Sequence, residues 1–195
     1  MTNKNPYSII IRTTFDDSKI TDDEYNFEPG PLSGSEPTYD PNKWNKKEKI
    51  KANHNCYAYA LNKYAGNRGD KSQPGYFSNF KSLSRNKYTC KEFLKRLKKD
   101  SPGLYTRNYN KPCKKNYTKG FLALSLGDDI DYHFYRQDSN NFWSHKPGRT
   151  NATNKDANNN IIINPLLANK NYGRLNYSTP CFFFCVNSKL SSLHS

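Results

Sequence analysis

Apolar positions recur with a helical period between residues 89 and 99. Phe93, Leu94 and Leu97 form one stripe, and Lys and Arg fill the opposite side. This spacing predicts an amphipathic helix, and Thr89 is placed to cap its first turn.

A second helix is predicted over residues 53–66, where Ala, Leu and Tyr follow a polar start. Asn53 or Asn55 is the expected N-cap, and Gly66 can end the helix. Short apolar or aromatic runs predict strands at 7–15, 120–126, 132–137, 142–146 and 182–186. Because the predicted helices precede most of the strands, the order favours an α+β fold with an antiparallel sheet.

Three regions follow from this pattern. Residues 1–42 form an acidic N-terminal arm with a short strand, and residues 43–187 form one domain. Within the domain, about residues 67–119 form a long basic insert, and residues 188–195 are a tail. No internal repeat or interdomain linker divides the chain further.

The predicted hairpin brings two histidines together. A loop at 138–140 would pair His133 with His145 and Tyr135 with Trp143, and opposed residues share one face of a sheet. One imidazole could then act as a base while the other orients it.

A cysteine at the predicted helix start is the natural partner for that base. The N-terminus of a helix favours an anion, so Cys56 is expected to have a lowered thiol pKa. The alternative is that Cys56 has only a structural role, because a cysteine in an Ala/Tyr helix is often a small buried side chain.

At these residues the chain resembles a known group. The strings NCYAYAL at 55–61, DYHFYRQD at 131–138 and WSHKPG at 143–148 resemble the papain-like NlpC/P60 and CHAP cysteine peptidases and amidases, and also a poorly characterised viral and bacterial family. The resemblance spans about residues 53–186. It implies a papain-like fold in which the cysteine helix packs on the histidine-bearing sheet.

The resemblance also implies roles for individual residues. Cys56 would be the nucleophile, His133 the base and His145 the third, orienting residue of a catalytic triad. Alternative candidates for that third residue are Asp131, Asp138 and Ser144. Asn53 and Asn55 are candidate supports for an oxyanion, and Tyr57, Tyr135 and Trp143 are candidate walls of the substrate groove. The implied activity is a thiol hydrolase that cleaves an amide bond through an acyl-enzyme.

Charge changes the picture in one part of the chain. The net charge is +14, but residues 1–40 carry -5, residues 41–120 carry +17 and residues 121–195 carry +2. Lys outnumbers Arg 23 to 8, and Asn and Lys are a quarter of the chain, so A/T-rich coding explains much of the basicity. The acidic start either lies across the basic middle as a counter-charge or is a solvated leader.

The remaining cysteines indicate neither a metal site nor a secreted scaffold. Cys90, Cys113, Cys181 and Cys185 lack paired C-x-x-C spacing, so no zinc site or other cofactor is expected. The first residues lack an apolar signal segment, and no stretch is long enough to span a membrane. Mainly reduced thiols are therefore expected, with a Cys90–Cys113 bridge left open, in the cytoplasm of a host or producing cell or in a virion.

Two further functions compete with the hydrolase. Lys and Tyr interleave in the middle segment, as a nucleic-acid-binding surface would require, although no RNA- or DNA-binding motif accompanies them. Alternatively, an inactive papain-like fold serves as a structural or virion component. The expected partners are a peptide or other amide-containing substrate, which could be acidic, then nucleic acid, and no membrane.

Overall fold

A computed structural model describes residues 20–64 and 72–187. The predicted strand at 7–15 and the tail at 188–195 lie outside the described residues. The α+β class and the antiparallel sheet are confirmed. The helices are α1 (Pro41–Asn45), α2 (Glu48–Asn53), α3 (Cys56–Ala60) and α4 (Cys90–Asp100), and the strands are β1 (Tyr105–Thr106), β2 (Thr118–Ser125), β3 (Asp131–Gln137), β4 (Trp143–His145), β5 (Asn171–Tyr172), β6 (Leu175–Asn176) and β7 (Thr179–Val186).

Five of the strands form one antiparallel sheet in the order β1-β7-β2-β3-β4. The two long central strands, β7 and β2, are rich in Phe, Leu and Cys and are buried along most of their length. Strands β5 and β6 form a separate ribbon that turns at Gly173, whose positive φ of 80° suits glycine.

Alternate residues of the central strands build two separate cores. On one face, Leu122, Phe134 and Phe184 pack against α3 and α4. On the other face, Phe121 and Phe183 pack in a second cluster that includes residues of the loops at 109 and 162–166. This period of two follows from the pleat of a β-strand, in which successive side chains point to opposite faces.

The hairpin between β3 and β4 has a different register from the predicted one. Tyr135, not His133, lies opposite His145, and Gln137 lies opposite Trp143. The turn spans residues 138–142, where Asp138 donates its N–H to the Phe142 carbonyl and Asn141 has a φ of 70°. The longer turn shifts the pairing by two residues, so both histidines still occupy the same face.

Helix α3 is shorter than predicted. It ends at Ala60 rather than Gly66, because Asn62 takes a left-handed conformation with φ 53° and Lys63 donates its N–H back to the Ala58 carbonyl. The prediction for α4 is confirmed, since Thr89 accepts a hydrogen bond from the Glu92 N–H at 3.2 Å.

Two disulfides correct the prediction of reduced thiols. Cys90 at the start of α4 is bonded to Cys181, and Cys113 is bonded to Cys185. Both bonds end on β7, so they tie α4 and the segment before β2 to the centre of the sheet. The Cys90–Cys113 bridge does not form.

The described part of the acidic arm, residues 20–42, packs on the chain instead of standing free. Glu24 is 1% exposed, and its carboxylate accepts the N–H of Tyr109. Tyr109 in turn donates its hydroxyl to the Glu28 carbonyl at 2.7 Å, and Asn110 donates to the Asp23 carboxylate at 2.7 Å. The arm therefore supplies acidic partners to the segment around residue 109.

Candidate functional site

The first residue of α3 is Cys56, as the sequence predicts. Asn55 caps the helix, with its Oδ1 accepting the Ala58 N–H at 3.1 Å, and its Nδ2 donates to the Ser72 carbonyl at 2.8 Å. The second bond fixes the loop that follows the undescribed residues 65–71 against the helix start. Cys56 is the free cysteine among the described residues, and it is 5% exposed.

The electrostatics of Cys56 oppose the predicted thiolate. Burial raises the pKa of the thiol to about 12, and the Asp131 carboxylate acts in the same direction. Backbone N–H groups favour the thiolate, but they do not offset the loss of water around the sulfur. At neutral pH Cys56 is therefore a protonated thiol.

The two histidines of the hairpin are in direct contact. His133 Nε2 lies 2.6 Å from His145 Nδ1, and His145 Nε2 lies 2.8 Å from the Lys155 carbonyl oxygen. A carbonyl only accepts, so His145 carries its proton on Nε2 and accepts on Nδ1 from His133 Nε2–H. Burial lowers the pKa of His145 to about 4, and burial together with His145 lowers the pKa of His133 well below its ordinary value.

The thiol and the imidazole pair belong to opposite sides of strand β3. Cys56 packs in the cluster of Tyr132 and Phe134, and its sulfur lies 4.0 Å from the Tyr132 carbonyl oxygen. His133 alternates with those residues, and its ring contacts Tyr135 on the other face, at 4.9 Å between centroids. Within residues 20–64 and 72–187, no hydrogen bond joins Cys56 to His133.

Both residues nevertheless line one cleft of about 500 Å³ beside the first residues of β3. Its wall also includes Arg85, Tyr88, Asp131 and Tyr177. The Asp131 carboxylate accepts the hydroxyl of Tyr177 at 3.0 Å, so one of its oxygens has a protein partner.

The other predicted site residues lie elsewhere. Asn53 ends α2 and is not among the residues of the cleft wall. Tyr57, Tyr135 and Trp143 are at most 1% exposed and belong to the cores instead of a groove. Tyr57 donates its hydroxyl to Asp100 at 2.8 Å, which ties α3 to the end of α4.

Two of the three alternative candidates for the third triad residue, Asp138 and Ser144, belong to a separate buried network. The Asp138 carboxylate accepts from Arg136 at 2.9 Å and from the Ser144 hydroxyl. Tyr59 lies 2.7 Å from Ser144 and accepts from Arg136 at 3.0 Å. Burial raises the pKa of Asp138, while Arg136 and Ser144 oppose that shift. The network joins α3 to β3 and β4, and its groups are satisfied by one another.

Sequence reasoning missed three buried lysines. Lys119, Lys146 and Lys170 each donate to three backbone carbonyl oxygens, at distances from 2.6 to 3.4 Å. Burial lowers the pKa of Lys119 and of Lys170 to about 8. For Lys119, its position inside a strand, β2, is a sequence signal that could have indicated this role.

Two other features of site chemistry concern metals and membranes. In the described part of the chain, no group of three or more His, Cys, Asp or Glu side chains is arranged to hold a metal ion. No helix within those residues is long and apolar enough to cross a membrane.

Fold and site together define a disulfide-linked α+β protein with a buried, protonated thiol separated from a buried imidazole pair. The chain is 33% identical over 132 residues to insoluble matrix shell protein 1 of Ruditapes philippinarum, and the match covers 68% of this chain and 80% of the relative. The chain therefore belongs to the family of that shell matrix protein. No protein-family model and no solved structure matches it.

This relationship corrects the predicted activity. The expectation of a thiol hydrolase, whether a cysteine peptidase or an amidase, is wrong, because the relative is an insoluble matrix shell protein. The raised thiol pKa and the missing hydrogen bond between Cys56 and His133 give the physical reason, since acyl transfer needs a thiolate within reach of a base.

Proposed function

We propose that this protein is a non-catalytic structural component of an insoluble extracellular matrix. The observation that carries the proposal is the pair of disulfides between β7 and two distant segments, with sequence separations of 91 and 72 residues. Such bonds persist in oxidising extracellular surroundings, and long closed loops restrict the unfolded chain strongly. The shell matrix relative supports the same location.

The scaffold that we propose for this role is papain-like. Support comes from helix α3, which begins at Cys56 and packs on β3, and from His133 and His145 on adjacent strands of an antiparallel sheet. In this proposal the buried Cys56, His133 and His145 have a structural role and hold α3 and the sheet together. Asp138, Ser144, Arg136 and Tyr59 fasten α3 to the hairpin in the same way.

An acidic partner fits the charge of such a component better than nucleic acid does. The basic excess lies in residues 41–120, where Lys is far more frequent than Arg. Lys is a point charge without the planar fork that makes Arg the residue of choice for phosphate recognition. The proposed partner is therefore a carboxylate-bearing polymer of the matrix.

The test is sedimentation of the purified, oxidised chain with insoluble shell matrix of Ruditapes philippinarum. Most of the oxidised chain is expected in the pellet at moderate salt, and much less after the disulfides are reduced and alkylated. A neutral protein of the same size is the control for trapping. Equal recovery of the oxidised chain and this control in the supernatant would contradict the proposal.

A further inference from the structure

The outer side of α4 is a continuous row of lysines. Lys91, Lys95, Lys98 and Lys99 are all exposed, while Phe93, Leu97 and Asp100 are buried on the opposite side. At about 100° per residue, the four lysines fall within roughly a quarter to a third of the helix circumference. We call these four residues the lysine face.

The lysine face sits on a fixed support. At its N-terminus α4 is bonded to β7 through Cys90 and Cys181. At its C-terminus Asp100 accepts hydrogen bonds from the Tyr57 hydroxyl at 2.8 Å and the Ser78 hydroxyl at 2.8 Å. A ligand on this face therefore does not have to order the helix that carries the charges.

Among the described residues, this charge has almost no acidic partner. Within the described residues, Lys91, Lys98 and Lys99 form no ion pair, and Lys95 has a 3.8 Å contact with Glu92. Glu92 is bonded more closely to Arg96, at 2.9 Å. The described part of the acidic arm packs elsewhere, where Glu24 and Asp23 bond to Tyr109 and Asn110.

From this arrangement we infer that the lysine face binds an acidic segment of a partner protein in an extended conformation. Helical rise places Lys91 and Lys95 about 6 Å apart along the axis, and Lys95 lies about 6 Å from Lys99. Alternate side chains of an extended polypeptide repeat about every 6.6 Å, so Asp or Glu at every second position would match the row. The four lysines span about 12 Å, the length of roughly four extended residues.

Single-stranded nucleic acid fits this face less well. Such ligands combine a basic groove with aromatic rings on which bases stack. The Phe80 ring lies beside the face, but it is already covered by Lys95 at 5.7 Å and Arg96 at 5.1 Å from its centroid. The charges are also all Lys, without the planar guanidinium of Arg.

The test measures binding of fluorescein-labelled poly-L-glutamate to the full oxidised chain by anisotropy at several salt concentrations. One variant changes Lys91, Lys95, Lys98 and Lys99 to Gln. A matched control changes the exposed Lys46, Lys47, Lys49 and Lys115 to Gln, so both variants lose four charges. The face variant is expected to bind about tenfold more weakly with a flatter salt dependence, and the control within about threefold of the parent.

Three outcomes would overturn the inference. Equal losses in the two variants would mean that net charge alone drives binding. Tighter binding of an oligo-dT strand than of poly-L-glutamate at the same salt would assign the face to nucleic acid. Loss of self-association in the face variant alone, seen by sedimentation velocity, would assign it to a second copy of this chain.

This inference rests on the proposed matrix function, because it names the partner of that matrix protein, but the two fail separately. If the parent chain sediments with shell matrix but the two variants bind poly-L-glutamate equally, the matrix function stands and the inference about the lysine face fails. If the parent chain binds poly-L-glutamate through the lysine face but does not sediment with shell matrix, the proposed matrix function fails and the inference about the lysine face stands.

Discussion

Lysine occupies two kinds of position in this protein, and they have opposite consequences. Lys119 in β2 and Lys146 and Lys170 in loops are buried, and each ammonium donates to backbone carbonyls and so holds neighbouring segments together. On α4 the lysines are exposed and have almost no partner among the described residues. Net charge therefore says little about function until each charge is placed inside or outside the fold.

Substituting a buried lysine should lower the stability of the fold far more than substituting an exposed lysine. Lys119→Met removes the ammonium that bonds the carbonyls of Tyr109 and Lys111, both at 2.6 Å. Two acceptors, one buried and one part-buried, would then lose their charged partner, which costs about 4 kcal/mol in the free energy of unfolding. Lys95→Met, the exposed counterpart, is expected to change it by less than about 0.5 kcal/mol.

Denaturant unfolding followed by circular dichroism measures both values. Similar free energies of unfolding for the two variants would contradict the division into buried and exposed lysines.

A smaller loss of stability is expected at low pH, because the imidazoles of His133 and His145 stay neutral inside the fold. The pKa of His145 is about 4 in the folded chain, below the ordinary 6.5. As pH falls from 6.5 to 4, the unfolded chain takes up a proton that the folded chain refuses, so stability is lost. The loss reaches about 3 kcal/mol for this one group.

Free energies of unfolding measured between pH 7 and pH 4 test this expectation, with His145→Asn as the comparison. The variant is expected to lose less stability over that range than the parent chain. An identical pH dependence would show that the imidazole does not titrate in this way.

The fold was predictable where the pattern is local. Thr89 and the apolar stripe of α4 define that helix, and the runs at 120–126 and 182–186 match β2 and β7. The hairpin register was not predictable, because it depends on a five-residue turn in which Asn141 takes a positive φ. Because a two-residue shift keeps both histidines on one face of the sheet, His133 and His145 are in contact although the predicted register is wrong.

The site was less predictable because its residue types are ambiguous. A cysteine after an N-cap suits either a thiolate or a buried thiol, and only packing against Tyr132 and Phe134 decides between them. The pairing of four cysteines cannot be obtained from spacing, since it depends on which segments reach β7. The aromatic residues Tyr57 and Trp143 suit a core and a groove equally well in sequence.

A protein that acts by binding the matrix does not need the Cys56 thiol. Parent chain and Cys56→Ala are compared for the fraction that sediments with insoluble shell matrix and for new amino termini released from that matrix. We expect equal sedimentation and no release above a protein-free blank with either chain. Release of amino termini by the parent chain alone would contradict the account.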